Sequence, residues 1–416
     1  MIDQLDLRKF EKTYRSSGKG ELPYPPRMLL KILIYSYATG VFSSRKIARQ
    51  IEENIALRVL AAGHSPSHRT ICRFRTRHID SFEAVFLQIL EYAQEAGLVK
   101  MGTIAIDGSK FGANASKHKA MSYARMEKEE KRLRGEIRRL TRAAAGEDEL
   151  EDAEFGPEFR GDELPEELQR RESRLKAIQA AKKRLEERKA FEAKVAKARK
   201  AEKKAKAAAS PSPRRSSGRP PAHPPDKPKP KDQENFTDPD SRIMKTSSGG
   251  FEQCYNAQVA VDDEAQLIVG ASISQSAADC TQLIPMVEQA IKNTGLAPQE
   301  VLADAGYRSE DNFIALEAQG IEAAIPLGRD KKKLEKAKPN KDLEATCRMH
   351  QKMKGKRARK RYKRRKHIVE PIFGWMKAAL GFRRFQLRGL DKVSGEWSLA
   401  CVALNIKTLS TRMKWA

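Results

Sequence analysis

Asp107, Asp304 and Glu370 are the residues of this 416-residue chain whose types and settings point most directly to chemistry. Asp107 closes the apolar run TIAID before Gly108, and Asp304 closes EVLAD before Ala305 and Gly306. Each reads as an acid at the C-terminal end of a short strand. Glu370 opens a helix in HIVEP, with Pro371 in the first turn, where a missing N–H costs nothing. An unpaired charge is expensive to bury, so packing explains such acids poorly; a cap or turn at the strand end is the structural alternative. Three acids converging on one sheet edge offer hard oxygen ligands with no accompanying His or Cys cluster, which suits Mg²⁺ or Mn²⁺ better than zinc. Two such ions, about 4 Å apart, would hold the attacking and leaving oxygens of an in-line phosphoryl displacement.

The charge balance points the same way. The chain carries 81 Lys and Arg against 55 Asp and Glu, a net +26, so the expected partner is a polyanion, most often nucleic acid. Between Arg329 and Lys366 there are 19 basic and four acidic residues, and the run KMKGKRARKRYKRRK leads straight into the apolar segment before Glu370. Phosphate backbone is the expected counter-charge. A second basic stretch, Leu168 to Ala208, follows an acidic one, Glu147 to Glu167. Five dispersed cysteines without a C-x-x-C argue against a disulfide framework and suit a reducing cytosol. The longest apolar stretch, Leu29 to Ala38, is interrupted by Lys31 and too short for a bilayer, and the N-terminus shows no secretory pattern. The expected location is cytoplasmic, on the nucleoid, with no membrane contact.

These residues need elements to position them. Residues 1–98 read as an all-helical domain. In it, Ser67 caps a short helix with Ile71 and Phe74 beneath and Arg69, Arg73, Arg75 and Arg77 on other faces, the pattern of a helix that enters a DNA groove. Residues 99–121 supply a first strand. Residues 122–208 carry four-three apolar spacing (Leu133, Ile137, Leu140; Leu168, Leu175, Ile178, Leu185) and read as a coiled-coil-like hairpin broken between Gly146 and Pro165. Residues 209–235 are a Pro/Ser/Lys linker too poor in apolar surface to fold. Residues 236–391 continue as strands, Tyr255–Val261 and Leu267–Ser274 first, alternating with helices and including the basic run at 329–366; residues 392–416 form a terminal helix. The order predicts an α/β mixed sheet flanked by helices and interrupted after its first strand. Asp262 and Asp263 read as turn residues and Asp279 as a helix cap. Asn256 either hydrogen-bonds near the site or caps its strand. Tyr307 lacks the arginine and histidine set of a tyrosine recombinase, and no G-x-S-x-G is present.

Taken in order, IAIDGSKFGANAS, YNAQVAVD, VLADAGY, VEPIFGWMK and GFRRFQLRGL resemble bacterial insertion-sequence transposases of the DDE type. That resemblance implies an RNase H-like catalytic core, a helical N-terminal DNA-binding domain and the helical hairpin as an insertion. It assigns the metal-binding catalytic triad to Asp107, Asp304 and Glu370. Lys377 matches the lysine of the family's tyrosine–arginine–glutamate–lysine signature, whereas its arginine and tyrosine positions are counted onto Lys366 and Lys363. DNA contacts are expected from Lys366, Lys377, Arg383, Arg384, Arg69 and Arg73, with Asn256 behind the site. The implied reaction is metal-dependent hydrolysis at transposon ends followed by 3′-OH strand transfer into double-stranded target DNA, by a homodimer that brings two ends together. An RNase H-like nuclease that cuts without joining, and a non-catalytic DNA-binding protein, are the competing readings.

Overall fold

A computed structural model describes residues 1–12, 14, 23–155, 166–208, 226–246, 249–328, 339–340 and 342–413. It divides into two compact units, Met1–Asn114 with Asp240–Ala416, and Ala115–Pro239.

In the first unit, helices α1 (Pro26–Ala38), α2 (Ser44–Glu53), α3 (His68–Arg77) and α4 (Phe82–Glu95) form the expected helical region. Pro26 starts α1, and the hydroxyl of Ser67 accepts the Thr70 N–H at 3.2 Å to cap α3. Gly40 adopts φ +82°, and a Cβ there would lie 2.8 Å from the Leu380 carbonyl oxygen, so a glycine is required twice over.

A sheet follows, built from β1 (Thr103–Gly112), β4 (Arg242–Lys245), β5 (Phe251–Asp262), β6 (Ile268–Ser274), β7 (Glu300–Ala303) and β8 (Glu322–Ala324). Strands β2 (Ala120–Ser122) and β3 (Gln233–Asn235) pair with each other in the second unit. In the main sheet β5 runs antiparallel to β1, β4 and β6, while β1, β7 and β8 are mutually parallel neighbours. The order β6–β5–β1–β7–β8 is that of an RNase H-like mixed sheet, as expected. Helices α5 (Leu283–Thr294) and α6 (Leu390–Arg412) pack on it, and α6 also packs against α1 and α4. The helical N-terminal region therefore shares one compact unit with the sheet. The cause is apolar: α6 buries Val393, Trp397, Leu399, Val402 and Leu404.

Helix α6 also comes close to the turn at Ile79, at Gly395. A Cβ there would lie 2.5 Å from the Ile79 carbonyl oxygen and 2.4 Å from its Cγ1. Gly395→Ala is expected to destabilise the protein by about 1–3 kcal/mol through overpacking, read as a lowered urea midpoint with an unchanged m-value.

The second unit holds two long helices, α7 (Tyr123–Phe155) and α8 (Glu166–Ala208). The pairs Tyr123–Glu186, Glu130–Lys182 and Glu136–Arg171 run in opposite sequence directions, so the arms are antiparallel. Met126, Leu133, Ile178 and Ala181 form their seam. Helix α7 continues past Gly146, where a break was expected, because one glycine costs only ~1 kcal/mol and the residues around it are good helix formers. The acidic residues between 156 and 165 lie outside the described residues, as do 209–225 of the expected linker. Within the described part of that linker, where no fold was expected, Gln233–Asn235 pairs with Ala120–Ser122.

Candidate active site

Two strands build the site's floor. The parallel ladder of β1 and β7 runs from Thr103↔Glu300 to Ile106↔Ala303, and the next residue on each strand is an acid, Asp107 and Asp304. Register alone therefore sets these carboxylates side by side. Asp304 follows the end of β7, as expected. Asp107 does not end its strand: β1 continues to Gly112, because its other edge keeps pairing with β5 (Asp107↔Val259 through Gly112↔Cys254). Each acid is pinned by a backbone N–H, Gly108 to Asp107 Oδ1 at 2.9 Å and Gly306 to Asp304 Oδ1 at 2.7 Å.

The third acid arrives on a different element. Helix α9 (Lys356–Ile368) breaks at Val369, and a one-turn helix starts at Glu370 with Pro371 in its first turn, continuing as a π-helical turn over Trp375–Ala379. From α9, the guanidinium of Arg365 reaches Asp107 Oδ2 at 2.9 Å and Glu370 Oε1 at 3.2 Å. The Arg365 side chain is 10% exposed, Asp107 21% and Glu370 49%, so the bridge runs from the interior to the solvent edge. The Tyr362 ring lies under the same guanidinium.

Two residues of α9 therefore stand at the carboxylates, Arg365 and Tyr362. Arg365 and Tyr362 keep their own spacing of three residues, but both lie one position ahead of Lys366 and Lys363. The helix breaks at Val369, between Arg365 and Glu370, so counting back from Glu370 on one helical phase reaches a different face of α9. Lys363 and Lys366 are exposed. A signal was present: Ala358, Arg365 and Ile368, seven and three apart, are the buried positions of α9.

Behind the floor lies a polar network that the sequence did not reveal. Asp279 does not cap α5; its Oδ1 accepts from Asn256 Nδ2 at 2.6 Å, Gln258 Nε2 at 2.9 Å and Lys110 Nζ at 3.3 Å. Asn256 is fully buried within β5, not at its end, and also donates to the Ser276 carbonyl. A Cβ at Gly108 would lie 2.1 Å from Gln258 Nε2 and 2.9 Å from Asp279 Oδ1, so the glycine after Asp107 makes room for this network. The Tyr307 hydroxyl is buried, donates to Gln258 Oε1 and is held well above its usual titration range by burial and by the charge of Asp107, which suits bracing and not nucleophilic attack.

Besides Lys366, exposed on α9, the expected DNA-contacting residues fall in three places. Lys377 on the π-helical turn is half-buried: its ammonium donates to Ser109 Oγ at 2.6 Å and the Lys110 carbonyl at 2.8 Å, and lies over the Phe111 ring. It ties its turn to β1. Arg383 and Arg384 are exposed where residues 383–385 bridge to Gly112, five residues along β1 from Asp107, or about 17 Å. Arg69 and Arg73 are exposed on α3, whose other face buries Ile71, Phe74 and Arg75. Part of the basic run meets protein carboxylates as well as solvent: Arg361 pairs with Glu300 at 3.1 Å, Arg348 with Glu317 at 2.5 Å, and Arg364 with Asp263.

Burial pushes the Asp107 carboxyl up to about 6 from its ordinary 3.8, against the pull of Arg365, with the charge of Asp304 adding to the rise. A buried acid of this kind, beside two more carboxylates and no Cys or His, fits a hard divalent cation. In the arrangement seen, the neighbouring cation is Arg365; among the described residues no three His, Cys, Asp or Glu side chains stand close enough to hold an ion as placed.

An acid whose folded pKa is raised binds a proton in the folded state that the unfolded chain has lost, so stability falls as pH rises from about 4 to 6. In metal-free buffer Asp107→Asn should therefore stabilise the protein at pH 8, by up to ~3 kcal/mol for a shift of about two units. No gain is expected at pH 4. Urea unfolding at both pH values in EDTA checks this; a variant less stable than wild type at pH 8 would contradict it.

The strand order and the paired acids on its central parallel strands define an RNase H-like protein. Residues 222–406 match a family described as the transposase DDE domain, and residues 1–77 match one described as a transposase domain. Together the two matches indicate an insertion-sequence transposase of the DDE type, a DNA-processing enzyme of transposition. The first match includes Asp304, Arg365 and Glu370; Asp107 lies ahead of it, separated by the second unit, and is tied to the site by register. No curated protein matches the chain. Among the described residues no helix is long and apolar enough to cross a membrane.

Proposed function

We propose that this chain hydrolyses phosphodiester bonds at transposon ends and then joins the freed 3′-OH to target DNA. The observation that carries the reading is the β1–β7 register, which sets Asp107 beside Asp304, with Arg365 linking Asp107 to Glu370. The family generally depends on divalent metal. Asp107, Asp304 and Glu370 would hold Mg²⁺ or Mn²⁺, two ions in all, which supply charge neutralisation for an in-line displacement of the kind that uses no covalent enzyme intermediate.

The chain's own residues do the rest. Gly108 and Gly306 N–H groups orient the first two carboxylates, and Asp279, Asn256 and Gln258 brace the strand carrying Asp107 from behind. Lys366, exposed one residue from Arg365, contacts phosphate near the scissile bond, and Arg383 and Arg384 hold DNA farther along β1. Lys377 fixes its turn to β1 and meets the backbone beside it. Arg69 and Arg73 on α3 contact the transposon end. The partner is double-stranded DNA, bound by a homodimer that pairs two ends, in the cytoplasm on the nucleoid.

An RNase H-like nuclease without joining activity would share the carboxylates, and a non-catalytic DNA-binding protein would have no use for them. Incubation with Mg²⁺ and duplexes from the DNA flanking the coding region separates the three. Joined products are expected; cleaved but unjoined ends would indicate the nuclease, and binding without either product the non-catalytic protein.

A further inference from the structure

Arg365 stands where two of the three metal-binding acids must share a cation. Its guanidinium spans Asp107 Oδ2 and Glu370 Oε1, its side chain is 10% exposed, and its Nε is buried with no hydrogen-bond partner among the described residues. Among the described residues no three His, Cys, Asp or Glu side chains stand close enough to hold an ion as placed. We infer that Arg365 is a positioning residue that holds Asp107 and Glu370 in the DNA-free protein and competes there with the divalent ion. DNA releases the carboxylates by drawing the guanidinium onto a phosphate. This inference rests on the reading of Asp107, Asp304 and Glu370 as metal ligands.

The physical argument is one of shared oxygens. A guanidinium presents two N–H groups in a fixed fork, and a carboxylate oxygen engaged by that fork has lost a lone pair and met a positive charge. A divalent cation approaching the same oxygens meets repulsion from a group that never deprotonates. A phosphodiester offers the fork an equivalent pair of anionic oxygens, so an incoming strand can take the guanidinium without leaving it unpaired. The Tyr362 ring beneath Arg365 gives the cation a second favourable contact that does not involve a carboxylate. The half-exposed Glu370 marks the side from which a strand arrives. The outcome is an enzyme that gathers its metal fully only on DNA, which limits cutting by a metal-loaded protein with no transposon end in place.

The test uses the full chain and Mn²⁺, with free aquo-Mn²⁺ followed by electron paramagnetic resonance. Without DNA, Arg365→Gln is expected to bind Mn²⁺ about tenfold more tightly than wild type. Arg365→Lys, a point charge unable to bridge both acids, should fall between them. Adding a duplex from the DNA flanking the coding region should tighten Mn²⁺ binding by wild type about tenfold and leave Arg365→Gln nearly unchanged. Equal or weaker Mn²⁺ binding by both variants, with thermal unfolding showing both folded, would overturn the inference. If wild type binds Mn²⁺ and Asp304→Asn abolishes that binding, such a result defeats the role of Arg365 alone. If no Mn²⁺ binding depends on Asp304, the metal-site reading fails and this inference with it.

Discussion

Asp304→Asn is expected to lower end cleavage by about 10³-fold or more while leaving binding to the end duplex within a factor of two. The size follows from what the carboxylate does. A metal ligand supplies several kilocalories per mole of stabilisation to developing charge, and each 1.36 kcal/mol is a factor of ten in rate. Asparagine keeps the volume and one acceptor oxygen, so the Gly306 N–H at 2.7 Å retains its partner and the turn after β7 is preserved. The Asp304 position is one residue past the last β1–β7 pair, so no ladder bond is lost. Gel shift and cleavage assays on the same preparation separate the two effects. Cleavage within tenfold of wild type would remove Asp304 from the reacting centre.

The second large effect is on folding. Glu396 of α6 is fully buried and accepts from the Tyr37 hydroxyl at 2.8 Å and from the Gln386 and Leu387 N–H groups at 3.0 and 2.9 Å. Tyr37 in turn accepts from Arg75 Nη1 at 3.0 Å, and Arg75 also donates to the Phe42 carbonyl at 2.8 Å. One buried acid thus answers a buried cation on α3 and ties down the segment after Arg384. Glu396→Ala leaves Arg75 without its counter-charge and two N–H groups without acceptors, a loss of about 3–5 kcal/mol. Against a typical total of about 5–15 kcal/mol, the variant should unfold at a much lower urea concentration or accumulate as insoluble protein. Glu396→Gln, which keeps an acceptor for these donors and removes a carboxyl that burial already pushes up, should lie close to wild type. A Glu396→Ala midpoint equal to wild type would mean that water or rearrangement satisfies Arg75.

Much of the architecture was legible because it is written in local patterns. The apolar composition and length of Tyr255–Val261 and Leu267–Ser274, the Ser67 cap and the four-three spacing of the hairpin each follow from short-range physics. Asp304 was legible for the same reason: an apolar run ending in an acid and a glycine turn is local. Asp107 was identified for a partly wrong reason, since the strand beneath it is prolonged by pairing with β5, more than 140 residues away in sequence. Asp279, Gln258 and Lys110 come together only through the sheet's cross-strand register, which no local window contains. Arg365 was hidden differently. In a run where nearly every residue is basic, composition does not distinguish the one arginine that turns inward; only the spacing of Ala358 and Ile368 does.

The proposed reaction is direct, in-line phosphoryl transfer at carboxylates without a covalent enzyme intermediate. A strand-transfer reaction into target DNA carrying a phosphorothioate of known configuration at the scissile position tests it most directly. Inversion at phosphorus is expected, the mark of a single displacement by the 3′-OH. Retention would mean two displacements through a covalent intermediate and would contradict it.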